Sequence, residues 1–212
     1  MASSSPARKA GPSLPPRKPA GKAVHEIRII GGQWKRTKLP VADRPGLRPT
    51  PDRVRETLFN WLGQDLSGWE VVDAFAGTGA LGLEAASRGA ARVLLVEQEA
   101  AQVEALRAIA QRLTGADAVK VERGNAIGVL QRLAPGSCDL VLLDPPFDAG
   151  LYDQALAAAA PALRAEGWLY LESPTAWTGE ALAPFGLRLH KHLKAGAVHA
   201  HLLQRALAAP AP

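Results

Sequence analysis

From residue 70 onward, short apolar segments alternate with longer segments of helical periodicity. Apolar strands separated by helices are typical of a parallel sheet that is covered on both faces. Residues 187–194 and 198–205 would close this sheet as an antiparallel pair around Gly196. The sequence therefore predicts an α/β protein with a doubly wound, mostly parallel sheet. The expected parallel strands are 70–74, 92–96, 119–122, 139–143 and 167–172, with helices at about 80–88, 99–113, 125–133 and 151–164.

The first sixty residues differ in composition from the rest of the chain. Residues 1–25 carry five basic residues, no acidic residue and many Pro, Ser and Gly residues, so we expect a disordered basic tail. A β-hairpin with strands at about 25–30 and 34–39, and a helix from the N-cap Thr50 to about Leu62, would follow. The expected organisation is a tail at 1–25, an N-terminal extension at 26–64 and one α/β domain at 65–207.

Positive charge is concentrated in this N-terminal part. Residues 1–60 contain thirteen basic and four acidic residues, whereas residues 61–212 contain twelve basic and sixteen acidic residues. A basic segment ahead of an acidic domain is typical of proteins that bind a polyanion such as RNA, although a solvated basic surface is the alternative. The candidate RNA-binding residues are Arg28, Lys35, Arg36, Arg48, Arg53 and Arg55.

A glycine-rich segment, Asp73-Ala-Phe-Ala-Gly-Thr-Gly-Ala-Leu-Gly82, follows the first strand of the domain. Glycines at a strand-to-helix turn allow close approach of a ligand to the backbone and to the helix N-terminus. Glu97 ends the next strand, where a carboxylate can bind the two ribose hydroxyls of an adenosine cofactor. These features leave NAD and S-adenosylmethionine open, and an acid beside the loop favours the cationic sulfonium compound. The candidate cofactor-binding residues are Asp73, Phe75, Gly77, Gly79 and Glu97.

Asn125 follows the third strand of the domain. Its amide could contact the adenine amine of such a cofactor, or its side chain could cap the next helix, and both roles can hold together.

The tetrapeptide Asp144-Pro-Pro-Phe147 follows a short apolar strand. Two prolines end the strand and fix the backbone direction at its carboxyl end, where open α/β sheets bind ligands. Asp144 and the Pro145 carbonyl could accept the two N–H bonds of an exocyclic amine, while Phe147 stacks on the base. A strand-ending turn with a core phenylalanine is the alternative reading.

Other features restrict the compartment and the cofactor. The single Cys138 excludes an intramolecular disulfide, and we expect no metal ion because no zinc-ligand spacing is present. The basic N-terminus lacks the apolar segment of a signal peptide, and no segment approaches the ~18 apolar residues of a membrane span, so we expect a soluble, cytoplasmic protein. We also expect a monomer. His190, His192, His199 and His201 are expected on one strand face, as a solvated or RNA-facing surface rather than a metal site.

Five sequence segments occur together and in the same order as in a known family. On the basis of these segments, residues 26–205 resemble the RsmD family of bacterial 16S ribosomal RNA guanine-N2 methyltransferases. The most specific is the second segment, because glycine loops alone are common. The segments are Arg28-Ile-Ile-Gly-Gly-Gln-Trp, Leu47-Arg-Pro-Thr-Pro-Asp-Arg-Val-Arg-Glu56, Leu58-Phe-Asn-Trp61, the glycine-rich segment and Asp144-Pro-Pro-Phe147.

The resemblance implies a class I, Rossmann-like methyltransferase with a seven-stranded sheet. It implies transfer from S-adenosylmethionine to the N2 amine of one guanine (guanine 966 in the family) within the small ribosomal subunit or its late assembly intermediate. Asp73, Gly77 and Gly79 would line the methionine side, Glu97 the ribose, and Asn125 with Ala126 the adenine. Asp144, Pro145 and Phe147 would hold the base as catalytic residues. The alternatives are a DNA adenine-N6 methyltransferase and a non-catalytic RNA-binding factor on the same fold.

Overall fold

The structure is a computed structural model that describes residues 26–40, 51–147 and 150–206. The predictions for residues 1–25 and for Arg48 lie outside the described residues. The strands are β1 (Glu26–Arg28), β2 (Lys38–Pro40), β3 (Glu70–Asp73), β4 (Arg92–Glu97), β5 (Val119–Arg123), β6 (Cys138–Leu143), β7 (Leu163–Ser173), β8 (Leu187–Ala195) and β9 (Val198–Arg205). The α-helices are α1 (Asp52–Leu62), α2 (Ala80–Ser87), α3 (Ala100–Arg112), α4 (Ala126–Arg132), α5 (Tyr152–Ala159) and α6 (Gly179–Leu182).

Within the described residues, seven strands form one sheet in the order β5-β4-β3-β6-β7-β9-β8, and β1 and β2 form a separate hairpin. The pairs from β5 to β7 are parallel, whereas β9 runs antiparallel to both β7 and β8. The predicted α/β class and doubly wound, mostly parallel sheet are therefore confirmed. No helix in the described ranges is both long and apolar enough to cross a bilayer.

The core has two parts, one on each face of the sheet. The hairpin, α1, α2 and α3 pack on one face, and α4, α5 and α6 pack on the other. The central strand β6 explains this arrangement, because Leu140 and Leu142 belong to the first part while Val141 and Leu143 belong to the second. The N-terminal extension therefore shares a hydrophobic core with the α/β domain. The domain boundary near residue 64 stays a prediction.

Several predicted element ends are wrong for identifiable reasons. The N-cap of α1 is Pro51, whose carbonyl accepts the Val54 N–H, rather than Thr50. The helix predicted over 151–164 stops at Ala159, and β7 begins at Leu163, because Pro161 removes a helical N–H donor. The predicted strand at 34–39 begins only at Lys38, since the backbone of Trp34 bonds to Ser87 in α2 instead of to β1.

The prediction that four histidines share one strand face is also wrong. Leu189 pairs with Leu203 while Lys191 pairs with Leu202, so His190 is the extra residue of a β-bulge. The bulge turns His190 against Trp168, with ring centroids 4.8 Å apart.

The extension is attached to α2 by the buried carboxylate of Glu84. Its two oxygens accept the backbone N–H groups of Ile30 and Gly31, each at 2.7 Å. Arg88 donates from Nη2 at 2.8 Å, and Arg55 donates from Nη1 at 3.4 Å. Each side chain of this ion triad is almost completely removed from solvent. These hydrogen-bond donors compensate the cost of burying the Glu84 carboxylate. Removal of its charge would leave two buried guanidinium groups without their counterion.

We expect Glu84→Gln to lower the free energy of unfolding by about 3–5 kcal/mol, the usual cost of breaking a buried ion pair. Glu104→Gln is the matched control, because Glu104 pairs with Arg107 on the exposed surface of α3, where such pairs contribute about 0.2–1 kcal/mol. Urea unfolding of both variants measures the difference. Equal effects of the two substitutions would contradict the central role of Glu84.

Candidate active site

The predicted cofactor- and base-binding residues lie where parallel strands end. Asp73 ends β3, Glu97 ends β4, Asn125 follows β5 and Asp144 follows β6. We call the edge of the sheet formed by the ends of β3 to β7 the carboxyl edge. The chain moves outward from β3 through β4 to β5, and then returns to place β6 on the other side of β3. The crevice at such a change of direction is the usual ligand site of an open α/β sheet.

Asp73 is buried beneath the glycine-rich segment. Its Oδ2 accepts the Gly82 N–H of α2 at 2.9 Å. A side chain at Gly82 would collide with Leu95 and would approach the Asp73 carboxylate, so glycine allows α2 to lie against the sheet here. Burial raises the pKa of Asp73 to about 7, with repulsion from Glu97 and Glu172 adding to the rise and the Gly82 hydrogen bond opposing it.

The glycine loop is held from two sides. The Gly77 N–H donates to Glu97 Oε2 at 3.0 Å, and the Gly77 carbonyl accepts from Gln102 Nε2 at 2.6 Å. Gly77 and Gly79 have φ angles of 49° and 76°, which favour glycine. The second oxygen of Glu97 accepts the Glu99 N–H at 2.8 Å. Gln102 was not predicted, because a polar residue in the first turns of a helix carries no sequence signal for this contact.

The remaining predicted cofactor residues lie nearby in the fold. Asn125 is the N-cap of α4, and its Oδ1 accepts the Gly128 N–H at 3.0 Å, which confirms the capping role. Ala126 is buried at the start of α4, and Phe75 packs beside the second part of the core. Contact of Asn125 and Ala126 with adenine, and of Phe75 with a cofactor, stays a prediction.

The Asp144-Pro-Pro-Phe147 segment leaves the sheet beside these residues. Pro145 is buried and Asp144 is half-buried, whereas Phe147 is one of the few large apolar side chains with substantial exposure, at 40%. An exposed ring next to a half-buried carboxylate is suited to stacking on a planar group. The alternative of a core phenylalanine is therefore wrong for Phe147, although its binding of a base stays a prediction.

A buried pair that the sequence did not predict lies next to Asp144. The Tyr170 hydroxyl donates to Glu172 Oε1 at 2.8 Å, and both side chains are buried in β7. Burial, followed by the charge of Glu172, raises the pKa of Tyr170 well above its usual value, and Asp144 adds to the effect. Glu172 thus raises the pKa of both Asp73 and Tyr170, and Asp144 also raises that of Tyr170. An alternating apolar strand gives no signal for such a pair.

The predicted RNA-binding residues do not form one surface around the carboxyl edge. Arg55 is buried in the Glu84 triad, and its Nη2 also donates to the Arg28 carbonyl at 2.8 Å, so the prediction that it faces a ligand is wrong. Lys35 and Arg36 are exposed, but their turn packs on Ser87 at the C-terminal end of α2, whereas the glycine loop lies at its N-terminal end. Arg28 and Arg53 are exposed, and their binding of RNA stays a prediction.

The sheet order, the glycine loop and the carboxylates at the strand ends define a Rossmann-like methyltransferase. The family described as Conserved hypothetical protein 95 matches residues 27–204, and the chain belongs to this family, the RsmD family.

Individual relatives agree with this assignment. The chain is 42% identical over 196 residues to Ribosomal RNA small subunit methyltransferase D of Escherichia coli, covering 89% of this chain and 95% of the relative. It is 41% identical over 137 residues to the protein of the same name from Haemophilus influenzae, covering 64% of this chain and 71% of the relative. Among solved structures, a putative methyltransferase from Escherichia coli matches with a TM-score of 0.73 and 42% identity, over 85% of this chain and 98% of that chain.

We expect the raised pKa of Asp73 to make the ligand-free protein less stable at high pH. The folded pKa of about 7 lies above the value of 3.8 for an exposed carboxyl, so folding favours the protonated form and stability falls as pH rises towards 7 and beyond. Between pH 5 and pH 8 this group should cost roughly 2–3 kcal/mol, because about two pH units of that interval lie below the folded pKa of about 7 and each contributes about 1.36 kcal/mol. Urea unfolding of the wild type and of Asp73→Asn at both pH values measures it. A difference between the two proteins that does not change with pH would contradict the expectation.

Proposed function

We propose that this protein transfers a methyl group from S-adenosylmethionine to the exocyclic N2 amine of a guanine in the RNA of the small ribosomal subunit, at the position called guanine 966 in the family. The observation that carries the proposal is the position of Asp144-Pro-Pro-Phe147 at the carboxyl edge, beside the glycine loop. Support comes from the relatives, whose names describe small-subunit ribosomal RNA methyltransferases.

The residues around the glycine loop fit this cofactor. Gly77 adopts a backbone conformation that permits close approach, and the half-buried Glu97 can accept hydrogen bonds from ribose hydroxyls in addition to its backbone contacts. Asp73 offers a carboxylate whose ionised form a cationic amino acid group would stabilise. The cofactor supplies an electrophilic methyl group on a sulfonium centre.

The protein's own residues would orient the acceptor and stabilise its charge. A guanine amine is a weak nucleophile because its lone pair is delocalised into the ring. Hydrogen bonds from its two protons to Asp144 and to the Pro145 carbonyl favour a pyramidal nitrogen whose lone pair points at the methyl group. The Asp144 carboxylate would then stabilise the positive charge that develops on nitrogen and could accept the proton that the methylated amine loses, while the donor would leave as a neutral thioether. Alignment of the two reactants supplies up to ~7–11 kcal/mol of the barrier reduction.

The same geometry supports an unstacked nucleotide as the substrate. A base can reach Asp144 and stack on Phe147 only after leaving its own helical stack, so a nucleotide in a single-stranded loop is the natural target. We propose the small subunit, or a late assembly intermediate, as the partner. The monomeric state and the cytoplasmic compartment stay predictions.

We expect Glu97→Ala to weaken S-adenosylmethionine binding by ~1.5–3 kcal/mol, the usual cost of losing hydrogen bonds to a charged group. Calorimetry measures this effect, with Glu104→Ala on the exposed face of α3 as the control that should bind normally. NAD should not bind either protein measurably. Binding of NAD without binding of the methyl donor would overturn the choice of cofactor.

We expect Asp144→Ala to lower the single-turnover rate of methylation by at least ~100-fold while S-adenosylmethionine affinity is retained, because it removes a charge-stabilising group. Phe147→Ala should instead weaken substrate binding by ~1–3 kcal/mol, the contribution of one stacked base. Asp153→Ala, an exposed acid in α5, is the control.

The assay uses small subunits from cells that lack the protein, followed by mapping of the methylated nucleotide. A normal single-turnover methylation rate for Asp144→Ala would contradict the proposed geometry. Methylation of duplex DNA adenine in place of ribosomal RNA would show that the substrate is wrong while the cofactor is right.

A further inference from the structure

The last two strands carry an unusual concentration of basic and imidazole side chains. Residues 187–205 contain four of the chain's five histidines and four Lys or Arg residues, and no Asp or Glu. His192, Lys194, His199 and His201 lie on one face of β8 and β9, because His192 pairs with His201 and Lys194 pairs with His199. We call these four residues the histidine surface.

The imidazole rings of this surface are stacked in nearly parallel planes. The His192 and His201 centroids are 4.7 Å apart with an interplanar angle of 23°, and His192 and His199 are 5.1 Å apart at 13°. His192 and Lys194 are exposed, His199 is half-buried and His201 is buried. The surface therefore presents the ring of His192 to solvent over a rigid aromatic support, with a lysine beside it.

His201 forms that rigid support. Its Nε2 accepts the Trp177 N–H at 3.0 Å, and its Nδ1 lies 3.2 Å from the Leu171 carbonyl. Burial lowers the pKa of His201 to about 4, so it is neutral near pH 7. Although ring nitrogens of the three histidines lie within 4.8 Å of one another, a metal ion bound by all three would have to displace the Trp177 amide or the Leu171 carbonyl. The geometry thus favours a stacking platform over a metal site.

The histidine surface lies at the carboxyl edge. One row of paired residues crosses the sheet from Leu143 through Leu171 and His201 to His192. Leu143 immediately precedes Asp144, and three strand spacings place His192 about 14 Å from it along this row. That distance is within the reach of nucleotides that flank a base held at Asp144, since single-stranded sites span about 4–16 nucleotides.

We propose that the histidine surface binds the RNA strand next to the target nucleotide, with a neighbouring base stacked on His192 and a phosphate held by Lys194. The inference rests on the proposed function and adds a substrate-binding surface to it. Aromatic side chains that alternate with cations are the combination that binds single-stranded RNA. A cationic surface at the carboxyl edge can also contact RNA phosphates close to the proposed active site. Lys35 and Arg36 cannot do so, because they lie at the other end of α2 from the glycine loop.

A matched pair of double variants tests the proposal. His192→Ala with Lys194→Ala removes one imidazole and one cation from the surface. Arg188→Ala with His190→Ala removes the same kinds of group from the same strand but from the opposite face of the sheet, where Arg188 bonds to Gln204 and His190 lies against Trp168. We expect the first pair to raise the Kd for undermethylated small subunits about ten-fold, and the second pair to change it less than two-fold. His192→Phe should retain near-normal affinity, because a phenyl ring also stacks.

The outcomes separate this proposal from the proposed function. Equal Kd values for the two double variants would overturn the histidine surface, as would loss of affinity in His192→Phe. A wild-type protein that binds S-adenosylmethionine but neither binds nor methylates small subunits would overturn the proposed function itself. Micromolar binding of Zn²⁺ alone that disappears in His192→Ala, with subunit affinity unchanged, would reassign the cluster as a metal site. Calorimetry with S-adenosylmethionine should give the same affinity for every variant.

Discussion

The buried carboxylate of Glu84 is the interaction on which the arrangement of the N-terminal extension depends. It accepts two backbone N–H groups of the extension and pairs with guanidinium groups from α1 and α2. Because α2 also begins at the glycine loop, the same helix connects the extension to the proposed cofactor site. Close packing makes this connection stiff: every residue of α2 is buried, and a side chain at Gly32 would collide with Ser87. The extension and the glycine loop therefore contact opposite ends of one buried helix.

The fold could be predicted from the sequence because its signals are local and repeated. Apolar runs that alternate with helical segments determine the parallel sheet, and the glycine and Asp-Pro-Pro-Phe segments lie directly after the strands that position them. The predicted strands at 92–96, 119–122 and 139–143 each lie within one residue of the ends of β4, β5 and β6.

The errors at Arg55, His190 and Trp34 have a different cause, because each depends on a partner distant in sequence. Nothing near Arg55 shows that Glu84, 29 residues away, will bury it. The β-bulge at His190 is visible only in the pairing of β8 with β9, and the turn at Trp34 depends on Ser87. Gln102 was not predicted for the same reason, because it bonds to Gly77, 25 residues away. The Tyr170–Glu172 pair is local, and it was not predicted because an alternating apolar strand gives no signal for it. Side chains that hold a site in place are less visible in sequence than the backbone motifs they support.

If the protein acts on RNA, there is a physical reason for acidic groups to lie inside the crevice and basic groups outside it. Asp144 and Glu172 are acidic groups at the carboxyl edge, and a cationic methyl donor would stabilise the ionised form of Asp73 beside them. The same charge repels a phosphate backbone, so we expect the RNA backbone to be bound outside the crevice. Cations outside the acidic interior would supply that attraction, and Lys194 near the end of β8 lies at the edge where the base has to enter. A target base held inside and a backbone held outside is the arrangement that an extruded nucleotide requires.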